Sequence, residues 1–194
     1  MTDAATGGVI VGADGKYRCP WVGTSADYMA YHDSEWGVPV HDEHGLYERL
    51  ILEAFQSGLA WITILRKREG IRDAFSQFDP DKVAAYGDGD IARLMQDTRI
   101  IRNRQKIVAA IRNAHATIAL REHGGLDELI WSHQPQSVKA PETIHDIPAI
   151  TPESTALAKS LKQAGFVFVG PTTAYAMMQA IGMVNDHLRN CVAR

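Results

Sequence analysis

The sequence has 194 residues, of which 45% are hydrophobic and 22% are charged, and its formal net charge is −3 at pH 7. This length and composition are typical of one globular domain and exclude a low-complexity or intrinsically disordered chain. The slight acidic excess disfavours a protein that coats nucleic acid, because phosphate binding depends on Lys and Arg.

The chain begins with a glycine-rich segment, MTDAATGGVIVGADGK. It predicts a flexible tail over residues 1–16, followed by a single domain over residues 17–194. The segment lacks the charged and apolar regions of an export signal, and no later stretch approaches about 20 consecutive apolar residues. We therefore expect a cytoplasmic protein without a membrane partner.

Aromatic side chains are concentrated between residues 19 and 61. Tyr47 and Phe55 fall at helical spacing, which predicts core positions. Tyr28, Tyr31 and Trp36 lie instead in the irregular, charged stretch DYMAYHDSEWGVP, where packing alone would favour Leu and Ile. These three residues are therefore candidates for a binding pocket.

A helix is predicted through LYERLILEAFQSGLAW, because its apolar residues recur at helical spacing. Glu53 lies among them and would point toward the apolar face or its edge. A carboxylate buried there costs free energy unless something pairs with it. Glu53 is either a border residue that reaches solvent or a buried acceptor for the N–H groups or positive charge of a ligand.

Helical windows continue along the chain at 71–77, 80–86, 88–97, 102–121, 125–132, 152–164 and 171–184. Asp79 and Thr151 each precede a proline suited to the first position of a helix. The stretch 134–150 contains three prolines and predicts an extended connection. FVFVG at 166–170 is the only strand-like run in the sequence. The sequence therefore predicts an all-α fold.

Two basic clusters stand out against the acidic balance: RKR at 66–68 and RIIRNRQK at 99–106. Each is compatible with an ordinary solvated helix face or with a local phosphate-binding surface. The pattern alone does not decide between them.

The two cysteines, Cys19 and Cys191, stand near opposite ends of the chain, and each has a histidine nearby. His187 and Cys191 are four residues apart, so a helix continuing through them would carry both on one face. With Cys19 and His32 they make a Cys₂His₂ set, which suits tetrahedral Zn²⁺ and leaves no position for water. Such an ion would be structural and would join the two ends of the chain.

Asp33 and Asp186 are each next to a candidate histidine and could accept a hydrogen bond from its imidazole. The alternative is that both cysteines are simply buried and the histidines solvated, because the spacing is not that of a standard zinc finger.

An ordered set of motifs resembles the bacterial 3-methyladenine DNA glycosylase I family. The motifs are CPWV, AYHDSEWGVP, LILEAFQSGLAWITILRKRE, FDPDKVA, IIRNRQKI, GFVFVGPTTAYAMMQAIGMVNDH and the final Cys191, and they cover residues 18–191. The resemblance implies a helix-hairpin-helix glycosylase that excises N3-methyladenine from alkylated double-stranded DNA and releases free 3-methyladenine. We expect it to act as a monomer. We also expect it to leave an abasic site without cutting the strand, because strand cleavage needs a desolvated lysine and the candidates, Lys67 and Lys106, lie in cationic runs.

The resemblance also assigns roles to residues. It implies one structural Zn²⁺ held by Cys19, His32, His187 and Cys191. It implies that Glu53 is the catalytic and base-recognising carboxylate, and that the base pocket also contains Tyr31, Trp61, Tyr28, Trp21 and Trp36. It implies a DNA-binding helix-hairpin-helix at about 92–112, with phosphate contacts from Arg102, Arg104 and Lys106, and a wedge into the duplex at Gly58 and Leu59.

The sequence departs from the family pattern at two places: Ala176 stands where some relatives carry a hydroxyl residue, and the expected hairpin lacks a Gly-x-Gly turn. Two other interpretations also stay open. The chain could be a non-catalytic reader of alkylated DNA that uses the same pocket, or an unrelated helical zinc protein.

Overall fold

The computed structural model describes residues 7–194 of the chain. These residues form nine α-helices and one small antiparallel sheet. The strands are β1 (Ile10–Val11) and β2 (Tyr17–Arg18), and the helices are α1 (Ala26–Ser34), α2 (Glu43–Gln56), α3 (Trp61–Ala74), α4 (Pro80–Ala84), α5 (Asp88–Gln96), α6 (Arg104–Leu120), α7 (Gly125–Trp131), α8 (Pro152–Gln163) and α9 (Pro171–Ala180). The predicted helical architecture is confirmed. Within residues 7–194, no helix has both the length and the apolar character that crossing a bilayer requires.

Helix α2 lies at the centre of the molecule and packs against α3, α6, α7 and α9. It starts at Asp42, whose carboxylate accepts a hydrogen bond from the Gly45 amide at 2.7 Å. Neighbours on several sides bury ten of its fourteen residues, among them Tyr47, Phe55 and Glu53. A polar side chain on a buried face of this helix, such as that of Glu53, therefore has little direct access to water.

Two local predictions are wrong. Residues 166–170 form no strand, because the buried Asn113 side chain binds both the N–H and the C=O of Val167, at 2.8 and 3.1 Å, and Phe168 has a φ of 59°. The last helix ends at Ala180 rather than 184. Gly182 follows with a φ of 72° at a point where a Cβ would come within 2.6 Å of the backbone of residues 37–39.

The two ends of the described chain meet. Residues 7–16 were expected to belong to a tail, but Ile10 pairs with Arg18 and Val11 with Tyr17 in the β1–β2 hairpin. The Val192 amide donates to the Tyr17 carbonyl at 2.8 Å. The rest of the expected tail, residues 1–6, lies outside the described residues.

Candidate base pocket and metal centre

A cavity of ≈ 400 Å³ opens beside the central helix, a volume typical of small-molecule sites. All six residues that the sequence analysis assigned to a base pocket line it: Trp21, Tyr28, Tyr31, Trp36, Glu53 and Trp61. They come from the turn before α1, from α1 and the residues after it, from α2 and from the start of α3. The structure thus gathers side chains that are up to 40 positions apart, from Trp21 to Trp61, around one space.

The cavity has five further lining residues: Gln56, Ile144, Ile147, Ala176 and Gln179. Ala176 is one of the two places at which the sequence analysis expected a departure from the family pattern. Gln56 follows Glu53 by three positions, so helical spacing predicts that the two share a face. Ile144 and Ile147 belong to the proline-rich connection, which the sequence analysis treated only as a link between helices.

Glu53 is the most unusual group in the cavity. Its residue is only 6% exposed, and no hydrogen bond or salt bridge to it is found among residues 7–194. Burial raises the pKa of its carboxyl to about 8, because desolvation disfavours the charged form and no cation compensates. The carboxyl is therefore mostly protonated at neutral pH in the free protein, and a bound cation would favour its ionisation.

The aromatic rings that line the cavity contact one another in two groups, which together we call the aromatic wall. Trp21 makes edge contacts with Tyr28 and Trp36, with ring centroids 5.5 and 5.1 Å apart. Tyr31 and Trp61 are tilted by 45° at 5.4 Å. Burial raises the pKa of Tyr31 far above its usual range, so its hydroxyl keeps its proton. Such a wall offers flat π-surfaces to a planar ligand.

Two polar atoms of this wall, the Tyr28 hydroxyl and Trp61 Nε1, differ in whether they have a hydrogen-bond partner. The Tyr28 hydroxyl accepts a hydrogen bond from the Ile62 amide at 2.9 Å, which satisfies one of the free N–H groups at the start of α3. The Trp61 Nε1 atom is buried and has no hydrogen-bond partner among residues 7–194. A buried donor without a partner is uncommon in folded proteins, and here it belongs to a residue that lines the cavity.

Behind the aromatic wall, four side chains predicted to bind zinc come together. The candidate ligand atoms of Cys19, His32, His187 and Cys191 all lie within 4.8 Å of one another, and all four residues are buried. The two histidine nitrogens are 3.2 Å apart, and the Cys191 sulfur is 3.3 and 3.6 Å from them. The Cys19 sulfur lies 4.0 Å from His187 Nδ1.

These separations fit the edges of a tetrahedron around one ion. Zn–N bonds of about 2.0 Å and Zn–S bonds of about 2.3 Å place nitrogens roughly 3.3 Å apart and sulfur roughly 3.6 Å from nitrogen. The Leu188 and Ala193 amides donate to the sulfurs of Cys19 and Cys191, at 3.4 and 3.5 Å. Hydrogen bonds of this kind stabilise thiolates, the form in which cysteine binds metal.

The outer nitrogens of both histidines are also held. His32 Nδ1 binds the Asp33 carboxylate at 2.7 Å, as predicted, and His187 Nε2 donates to the Trp36 carbonyl at 2.9 Å. These partners point the opposite nitrogens into the cluster. The same role predicted for Asp186 is wrong, because its carboxylate accepts hydrogen bonds from Tyr175 and Gln179 instead.

The route by which the cluster forms also differs from the prediction. His187 and Cys191 lie beyond the end of α9, in an irregular segment, so no helical face brings them together. Their four-residue spacing correctly indicated that the two side chains lie close together. A turn at 188–191 directs both inward, and in it the Cys191 amide donates to the Leu188 carbonyl at 2.8 Å.

The predicted DNA-contacting residues divide into two groups. Arg102, on the connection 97–103, and Arg104, at the start of α6, are both exposed. Gly58 and Leu59 are exposed between α2 and α3, and Leu59 is 40% exposed. Lys106 does not belong with them. Its residue is 7% exposed and its Nζ donates to the carbonyls of Phe55 and Ser57, at 2.8 and 2.7 Å. The prediction that Lys106 is an exposed phosphate contact is therefore wrong.

Residues 21–194 match the family model described as methyladenine glycosylase. The chain is 50% identical over 178 residues to the DNA-3-methyladenine glycosylase 1 of Escherichia coli (strain K12), covering 90% of this chain and 95% of that protein. A crystal structure of a 3-methyladenine DNA glycosylase I is similar with a TM-score of 0.88 at 47% identity, covering 91% and 99% of the two chains. A second crystal structure, of a tyrosine-to-phenylalanine variant of 3-methyladenine DNA glycosylase I in complex with 3-methyladenine, has a TM-score of 0.86 at 34% identity and covers 91% and 96%.

Proposed function

The chain belongs to the methyladenine glycosylase family, and from that premise we propose that the cavity around Glu53 receives the damaged base. The protein is a DNA repair glycosylase that excises 3-methyladenine by hydrolysing its N-glycosidic bond. The observation that carries the proposal is Glu53 itself, a buried carboxyl that finds no partner in the described part of the chain and lies in a cavity walled by aromatic rings.

The target base leaves the helical stack before it reaches the cavity. Unpairing costs a few kcal/mol and is cheapest for a damaged base. N3-methyladenine is cationic in the nucleotide, so its bond to the sugar is already weakened. Tyr31 and Trp61 stack on the flipped base, and cation–π attraction adds about 0.5–2 kcal/mol for the charged form. Recognition of the lesion therefore supplies much of the selectivity.

Glu53 reads the adenine edge. Its carboxylate accepts hydrogen bonds from the exocyclic amine, which distinguishes adenine from guanine, since guanine carries an oxygen at that position. Docking of the cationic base opposes the desolvation that raises the pKa of Glu53 to about 8, so the carboxyl loses its proton as the base binds. The resulting ion pair strengthens a contact that is shielded from solvent.

Water then attacks the sugar as the base departs, and the product is an abasic site. No lysine lines the cavity among residues 7–194. Lys106 is desolvated, which lowers its pKa, but its amine donates to two backbone carbonyls. Desolvation alone would favour a Schiff base, but the Lys106 amine is held by two carbonyls and does not line the cavity, and we infer a monofunctional enzyme.

Alkylated double-stranded DNA binds across the surface around the start of α6. Arg104, Gln105 and Arg112 of this helix share a surface cleft with Phe168, from the turn between α8 and α9. The starts of α6 and α9 each present backbone N–H groups suited to phosphate. We therefore assign the phosphate contacts to the α5–α6 hairpin together with the neighbouring α8–α9 hairpin, and the wedge into the duplex to Gly58 and Leu59.

The Cys₂His₂ cluster holds one structural Zn²⁺. With four protein ligands the ion would supply no Lewis-acid chemistry, and its contribution is to cross-link the ends of the chain. Metal content by mass spectrometry and the melting temperature of Cys191→Ser test this assignment. We expect the variant to lose metal and melt at lower temperature, whereas an unchanged melt in a protein that never held metal would contradict the assignment.

Base release tests the enzymatic proposal. Methylated duplex DNA is incubated with the wild-type protein, with Glu53→Gln and with Glu122→Gln, an exposed control, and the freed bases are quantified by mass spectrometry. We expect release of 3-methyladenine by the wild type and the control, and a loss of about 100-fold or more in Glu53→Gln. Binding of the methylated DNA without release above the spontaneous rate would show a non-catalytic reader instead.

A further inference from the structure

The family match begins at residue 21, yet the preceding segment reaches the base cavity. The carbonyl of Gly7 accepts a hydrogen bond from the Ile144 amide at 2.9 Å. Ile144 and Ile147 both line the cavity, and they come from the connection between α7 and α8, whereas the aromatic residues come from the chain up to the start of α3. A part of the chain outside the family match therefore supports one wall of the site.

The contact between Gly7 and this wall is close. Gly7 is buried and has a φ of +70°, and a Cβ added to it would lie 3.0 Å from Ile144 Cγ1 and 3.0 Å from the His145 ring. Val9, two residues on, packs with Ile147 against the cluster formed by Cys19, Leu188 and Cys191. The segment thus contacts Ile144 directly, and Val9 and Ile147 pack against the same cluster.

The other end of the segment is fixed to the aromatic wall. Arg18 is buried, and its guanidinium binds Asp33 of α1 at 2.7–3.1 Å and Asp14 at 2.8 Å. Helix α1 carries Tyr28 and Tyr31. Residues 7–18, which we call the N-terminal strap, therefore contact both Ile144 and helix α1, two parts of the chain that contribute side chains to the cavity.

We propose that Ile144, held in place by the N-terminal strap, is a specificity-determining residue of the base pocket. The proposal rests on the function assigned above to the cavity. Ile144 is 38% exposed and offers only apolar atoms to a ligand. Such a surface favours a base edge that carries a methyl group over an edge whose polar atoms would lose their water without a new partner.

The experiment measures binding of free 3-methyladenine and of free adenine by quenching of tryptophan fluorescence, since three tryptophans line the cavity. The variants are Ile144→Ala, the milder Ile144→Val, Gly7→Ala and Gly15→Ala. Gly15 is the matched control, because its φ is +76°, similar to that of Gly7, but a Cβ there meets nothing within 4 Å. Thermal melts of all four variants report how each change affects the fold.

For Ile144→Ala we expect 3-methyladenine to bind about three- to tenfold more weakly, and its preference over adenine to fall by a similar factor. Ile144→Val should show a smaller shift in the same direction. Gly7→Ala should weaken 3-methyladenine binding more than Gly15→Ala does. Equal preference for 3-methyladenine in the wild type and both Ile144 variants would refute the role of Ile144, and equal affinities in the two glycine variants would refute that of the strap.

The function assigned to the cavity is tested separately from the role of Ile144. If the wild type fails to bind 3-methyladenine, or if Glu53→Gln binds it as the wild type does, the function assigned to the cavity is wrong. If the wild type binds 3-methyladenine, Glu53→Gln binds it more weakly and only the Ile144 variants behave like the wild type, the function of the cavity stands and the specificity role of Ile144 alone fails.

Discussion

Replacing Glu53 with Gln should stabilise the protein by an amount that grows with pH. The folded-state pKa of Glu53 is about 8, above the 4.5 of an unperturbed carboxyl. Below pH 4.5 both folded and unfolded states hold the proton, so the carboxyl makes no pH-dependent contribution to stability. Between pH 4.5 and 8 only the folded state holds it, and stability falls by about 1.4 kcal/mol per pH unit. Above pH 8 both states are ionised and the loss is complete.

The size of the effect follows from that shift. A carboxyl moved from 4.5 to about 8 lowers the free energy of unfolding by about 1 kcal/mol at pH 5, about 3 kcal/mol at pH 7 and about 5 kcal/mol above pH 9. Glutamine does not titrate, so Glu53→Gln lacks this loss. Burying its amide adds a term that is the same at every pH, and the informative quantity is therefore the change in the stability difference between pH 5 and pH 9.

Urea unfolding of the wild type and Glu53→Gln at pH 5, 7 and 9 measures this change. Glu122→Gln, at an exposed position, is the control and should track the wild type at all three values. The Cys₂His₂ cluster is common to all three proteins, so any titration of its own cancels in the difference. A stability difference that stays constant from pH 5 to pH 9 would refute the claim that Glu53 is buried without a partner.

Three further substitutions test other parts of the structure. Lys106→Met should lower the free energy of unfolding by about 1–3 kcal/mol, because the carbonyls of Phe55 and Ser57 lose a charged donor; chemical denaturation measures it. Arg104→Ala should leave the melting temperature unchanged but weaken DNA binding and reduce its salt dependence, as a fluorescence anisotropy titration at several salt concentrations would show. Tyr28→Phe should destabilise the protein by about 1 kcal/mol through the lost acceptor for the α3 amide, and an unchanged melt would contradict that role.

Most residues of the candidate site could be predicted from the sequence, but their burial and geometry could not. The motifs indicated which six aromatic and acidic residues share a pocket, and the structure brings all six together. The apolar pattern around Glu53 did not decide whether its side chain is buried. The number of sides on which a helix is covered depends on packing partners far along the chain. Here α3, α6, α7 and α9 all pack on α2.

The failures have the same origin. Lys106 lies in a basic run that resembles a solvated surface, yet the carbonyls that receive its amine belong to residues about 50 positions earlier. His187 and Cys191 were paired through an assumed helix, whereas a glycine turn ends that helix at Ala180. Nothing in the sequence predicted that Ile144 lines the cavity, because an apolar residue in a proline-rich connection usually has no binding role. Each error concerns a contact that local periodicity does not encode.

The Cys₂His₂ cluster and the cavity share a wall, so the zinc proposed here would have a consequence beyond joining the termini. The Trp36 carbonyl accepts from His187, and the Trp36 ring, which lines the cavity, lies 4.7 Å from the His187 ring. Trp21 lines the same cavity and lies 5.2 Å from the His32 ring. Freeing the two histidines would therefore loosen two rings of the pocket. Removal of the metal should weaken 3-methyladenine binding before the protein unfolds, and a metal-free, folded protein with full affinity would show that the two sites are independent.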